Sequence, residues 1–174
     1  MKPWLHAVMW TSLAVVGCTQ AVFPPDVADG IDPAFDFARW HAAPTLTPPA
    51  KIQLGGRILE TQTIGDTVTI VVAELTVVRF PAYGPKQGKS KGTFVITYRG
   101  KIERPFLHPG NRIMVVGMTS GSRLVAVDDV MRSLPSVDAR CLHIWKTGDV
   151  DISDFMSSGA GYGVLEEETL CVSS

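Results

Sequence analysis

The chain has 174 residues, a length suited to one domain with its own core. Its 16 basic and 17 acidic side chains leave a formal charge of −1, which argues against a dedicated nucleic-acid binder, since such domains carry a marked basic excess. Glycine (16) and proline (12) are plentiful and charge is modest, as in a turn-rich β protein.

Lys2 adds positive charge to the amino terminus, and Leu5 to Val16 is mostly apolar, broken by His6, Thr11 and Ser12. A membrane-spanning helix takes roughly 18 to 25 apolar residues, so this run is too short to be one. A basic start followed by a short apolar stretch reads as a secretory signal. Val15-Val16-Gly17-Cys18 then resembles the bacterial lipobox, in which a small residue precedes the cut and the thiol after it is alkylated. The competing reading is an ordinary secreted chain whose cysteine falls there by chance. On the lipobox reading, residues 1–17 are the signal peptide and Cys18 carries a covalent diacylglycerol and an N-acyl chain. Each buried methylene contributes about 0.8 kcal/mol, so two or more chains hold stably. Thr19 stands where an aspartate would suggest inner-membrane retention, so the outer membrane is the expected address.

Residues 18–31 read as a lipidated N-terminus and extended tether, and half of the 12 prolines fall between residues 19 and 50. Inside that stretch Asp32 suits a helix cap and Pro33 a first helical position, followed by "AFDFARWHA". Phe35, Ala38 and Ala42 share one side, with Phe37 and Trp40 flanking. A short helix ending before Pro44 would close one end of a barrel.

From Lys51 the period becomes alternating. Ile52, Leu54 and Ile58 share one face and Lys51, Gln53 and Arg57 the other, with Gly55-Gly56 suggesting a bulge or tight bend. Thr67 to Val78 is a longer strand whose alternation slips near Val71-Val72, again suggesting a bulge. "GTFVITYR" places Phe94, Ile96 and Tyr98 inward. "RIMVVGMT", "SRLVAVDDV" and "ARCLHIWK" complete about six strands, joined by links such as Pro109-Gly110-Asn111 and Ser120-Gly121-Ser122. The fold class expected is mainly β: a small closed or partly open barrel of about six strands, OB-like, with one short N-terminal helix. The barrel is expected over residues 32–147, and residues 148–174 form a loosely ordered acidic, Gly- and Ser-containing tail.

"FDFARWHAAP", "IQLGGRI", "VVAEL", "KGTFV", "LHPGNRIMVVG" and "LHIW" together resemble the Slp family, starvation-inducible outer-membrane lipoproteins of Gram-negative bacteria. The resemblance spans roughly residues 27–146 and agrees with the lipobox. It implies lipidation, an outer-membrane location and a link to envelope stress or stationary phase. It brings no catalytic residues, so no enzyme activity is expected, nor any cofactor beyond the lipid on Cys18.

Several side chains remain as candidates. Lys86, Lys89, Lys91, Arg99 and Lys101 would make a basic patch for anionic headgroups, lipopolysaccharide phosphates or an acidic envelope protein, against the plainer reading of a hairpin loop kept soluble by lysines. Cys141, His143 and Trp145 share one strand face; a C-x-H pair offers two zinc ligands, but a satisfied core cluster is the better reading. Cys141 and Cys171 either pair as a disulfide, which an oxidising periplasm permits and which would stabilise by about 3 kcal/mol, or stand as two thiols. "SSGAGYG" lacks the strand and Lys-Ser/Thr of a phosphate loop. The function expected is a membrane-anchored structural or interaction module; the alternative is an OB-like binding module for a glycan or anionic envelope ligand.

Overall fold

The computed structural model describes residues 21–77, 84–86, 88–148 and 165–172. The lipobox with Cys18, and most of the expected tail, lie outside the described residues.

Alternating apolar residues build six strands: β1 (Lys51–Ile64), β2 (Thr67–Leu75), β3 (Thr93–Arg99), β4 (Arg112–Val127), β5 (Val130–Trp145) and β6 (Glu167–Cys171). They pair in the order β3-β2-β1-β4-β5-β6, antiparallel throughout. A short parallel pairing of β3 with β5, Val95 to Ser136 through Thr97 to Asp138, bends the sheet into a ring. This is the OB-like barrel expected from the sequence. β4 occupies one edge of β5, so β3 and β6 share the other: β3 takes residues 136–138 and β6 takes 141–145.

Inside the ring, Ile52, Leu54, Ile70, Phe94, Ile96, Val115, Leu142 and Ile144 form the main core. Helix α2 (Phe37–Ala42) closes one end, with Phe37 and Trp40 edge-on to the Phe94 ring at 5.9 and 6.4 Å. Its cap is Asp36, whose carboxylate accepts from the backbone N–H of Ala38 and Arg39, and not Asp32, which accepts from Ala34 in a turn of its own. Phe37 and Trp40 are buried and Ala38 and Ala42 exposed, while Phe35, just before the helix, packs half-buried on the same core, so the buried side is the one Phe37 and Trp40 share.

Two further apolar clusters cover the outside of the sheet. Residues expected to be an extended tether instead fold onto it: α1 (Pro25–Ala28) and Phe23 bury Phe23 and Val27 against Met114, Val116 and Trp145. On the far side, Val125 and Val127 fold over Val71 and Val95. That second cover comes from one long hairpin, where the sequence suggests two strands, "RIMVVGMT" and "SRLVAVDDV", joined at Ser120-Gly121-Ser122. Ser120-Gly121-Ser122 is an irregularity inside a continuous β4, and the turn is Asp128-Asp129, both residues at positive φ (51° and 61°) as a type I′ hairpin turn requires.

Gly55-Gly56 hold an unbroken register opposite Leu75 and Glu74, so they make no bulge there. The slip lies at Leu59 on β1, opposite Val71-Val72, where the neighbouring strand's alternation breaks. The tail also departs from expectation at its end, because Glu167–Cys171 pair with β5 and Leu170 and Val172 pack on the main core.

Candidate functional site

The five cations expected to form one patch do not come together. Lys86, Lys89 and Lys91 are exposed near the start of β3; the Lys86 backbone pairs with Thr76 and the Lys91 N–H donates to Glu74. Arg99 and Lys101 lie at its far end. Eight residues of extended chain separate Lys91 from Arg99, about 26 Å at 3.3 Å per residue. The single patch is therefore corrected to two separate groups.

Arg99 belongs to a different assembly. Where β3 leaves β5 and β6 takes its place, a groove of about 780 Å³ opens on the outer surface. Register explains its lining: Lys51 on β1 is opposite Met118 on β4, Met118 is opposite Asp138 on β5, and Asp138 is beside Thr97 on β3. Arg99 pairs with Thr67 across β2–β3, Arg140 follows on β5, and Arg123 reaches in from the β4–β5 hairpin. Four cations thus face one carboxylate among the described residues lining the groove. Thr97 is 8% exposed, and its Oγ1 has no hydrogen-bond partner among the described residues. Lys51, Arg123 and Arg140 sit on elements too far apart in sequence for charge patterning to have grouped them.

Elsewhere, OB barrels commonly use the face of their second and third strands. Here Val125 and Val127 pack on Val71 and Val95 of that face, leaving a smaller cleft of about 450 Å³ beside Glu60 and Thr69.

Cys141 and Cys171 are directly opposite each other, 4.1 Å apart at Cα, and joined by a disulfide. Cys141 is thereby withdrawn from the C-x-H pair as a thiolate ligand. Among the described residues no three His, Cys, Asp or Glu side chains gather to hold a metal ion. His143 instead packs at a tilt on Trp145, ring centroids 4.1 Å apart, with Nδ1 2.6 Å from Thr169 Oγ1 and Nε2 3.4 Å from Glu167. Burial pushes its pKa below the ordinary 6.5, against the opposing pull of the Glu167 carboxylate.

A family model described as outer membrane lipoprotein Slp family matches residues 15–164. The chain belongs to the Slp family. The match begins before Cys18 and runs past β5, beyond the span that carries the motifs, while β6 and Cys171 of this Slp-family protein follow its end. A search of curated proteins finds no match. Among solved structures the chain is similar to a TiaS complex with tRNA, AMPCPP and agmatine, at 15% identity over 70% of this chain and 27% of that chain. The TM-score is 0.29, a likeness too slight to carry an argument.

Proposed function

We propose that this protein is a lipid-anchored, non-catalytic interaction module of the Gram-negative outer membrane, held by acyl chains on Cys18. The observation that carries the reading is membership of the outer membrane lipoprotein Slp family, whose match includes Val15-Val16-Gly17-Cys18. The fold fits the role. Its N-terminal segment returns to the barrel at Phe23, so only a few residues separate the anchor from the folded body, and the domain rides close to the lipid surface. Its partners on this reading are the membrane itself and an envelope component, and its expression rises under envelope stress or in stationary phase.

The test is expression of wild type and Cys18→Ser in a Gram-negative host, with membrane fractionation and intact mass. Wild type should appear in the outer-membrane fraction at the mass of a chain cleaved before Cys18 and acylated. The variant should lose both the acyl mass and the outer-membrane fractionation. An unacylated wild type would overturn the anchor.

A further inference from the structure

We propose that the groove where β3, β5 and β6 meet binds the phosphate group of a phosphorylated sugar. Charge selects the anion: Arg99 and Arg123 both line the groove, and neither has an acidic partner among the described residues. Lys51, whose ammonium also donates to the carbonyl of Asp29, strengthens the positive field, and Asp138 supplies the opposing carboxylate. Guanidinium groups suit this task because their planar fork matches two phosphate oxygens at once.

Thr97 makes the groove more than a basic surface. Buried hydroxyls nearly always have a partner, and an exception calls for a cause. Thr97 lines the groove between Arg99 and Asp138; its Oγ1 is buried there, and turned toward the groove the hydroxyl would donate a hydrogen bond to a phosphate oxygen. The rest of the lining sets the body of the ligand. Met118 is 44% exposed, and with Val172 it gives the groove an apolar part. Sugar C–H faces pack on such surfaces, whereas a bare phosphate would leave them wet. The volume of about 780 Å³ lies within the range of small-ligand sites. The proposal does not depend on the lipid anchor, so either can fail alone.

The test is calorimetric titration of the full chain in nonionic detergent with glucose 1-phosphate, glucose, inorganic phosphate and dihexanoyl phosphatidylglycerol. Glucose 1-phosphate should bind saturably, more tightly than inorganic phosphate, and more weakly as salt rises. The Arg99→Gln/Arg123→Gln pair should weaken it by about ten-fold or more. Thr97→Val should weaken it several-fold, whereas Lys86→Gln/Lys89→Gln should leave it unchanged. If the buried Thr97→Val variant does not fold, the exposed arginine pair still decides. Tighter binding of phosphatidylglycerol, whose headgroup carries glycerol and no sugar, overturns the sugar assignment; tighter binding of glucose 1-phosphate supports it. Absence of saturation by every phosphate probe at about 10 mM overturns the proposal. So does equal binding of unphosphorylated glucose, or an unchanged affinity in the arginine pair variant.

Discussion

Gly56→Ala probes how β1 and β2 are allowed to approach. A Cβ on residue 56 would lie 2.2 Å from Val72 Cγ1 and 2.4 Å from the backbone oxygen of Ala73. Ordinary contact begins at 3.4 Å, so each neighbour must retreat by about 1 Å. Val72 is fully buried and β-branched, with little rotamer freedom to escape. The Ala73 carbonyl belongs to a strand paired on both sides, with β1 and with β3. Relief therefore means parting two strands, which weakens the ladder around the new methyl. Overpacking typically costs 1–3 kcal/mol, and the rigid backbone neighbour places this site near the top, at about 3 kcal/mol. Thermal unfolding should shift downward by about 6 to 12 °C. Gly65→Ala is the comparison: φ is +59° but nothing lies within 4 Å, so left-handed strain of about 1 kcal/mol is the whole cost. Urea unfolding of both variants beside wild type makes the measurement. A Gly56→Ala protein within about 0.5 kcal/mol of wild type, or no less stable than Gly65→Ala, would refute the argument.

Cys171→Ser opens a loop with a sequence separation of 30, and the chain-entropy relation gives a loss of about 3.6 kcal/mol. Denaturation with and without a reductant checks it; wild type should fall toward the variant when reduced, and equal stability in both conditions would count against the bridge. His143 is held with its pKa below 6.5, mainly by burial, so the folded state favours the neutral ring. Its contribution is therefore complete above about pH 6.5 and drains away as pH falls through the lower folded value. Urea midpoints between about pH 7.5 and 5.5 should drop in wild type and drop less in His143→Gln; identical slopes would remove His143 as the cause.

How legible was this molecule before folding? Strand identity was readable where one face meets water, as in Lys51-Ile52-Gln53-Leu54. It was readable too in "FVIT" and "IMVV", and the alternation slips only in "TIVV", although both faces of these strands are covered: the core lies on one side, and α1 or the β4–β5 hairpin on the other. The segment around Phe23 and Val27 reads as a tether in sequence because a short proline-rich stretch shows no period of its own, and only the folded sheet covers it. At Asp128-Asp129, two acidic residues inside an apolar pattern were absorbed into a strand, although aspartate is among the residues that tolerate a left-handed turn.

The candidate groove was less legible still. Arg99 stands out in the sequence beside Lys101, but the charge run also joins it to Lys86, Lys89 and Lys91, of which Lys91 lies about 26 Å away along extended chain. The neighbours of Arg99 in space, Lys51, Arg123 and Arg140, come from β1, β4 and β5.

By itself, the sequence determined the class of fold, the barrel's inward residues and the membership carried by motifs such as "IQLGGRI" and "LHPGNRIMVVG", because alternation and turn residues act over a few neighbours. Tertiary structure decided what those rules cannot reach: the closure of β3 on β5, the sharing of one edge by β3 and β6, and the meeting of cations at that junction. Each depends on pairing between residues far apart in the chain, and register across such distances is set by the packing of the whole barrel.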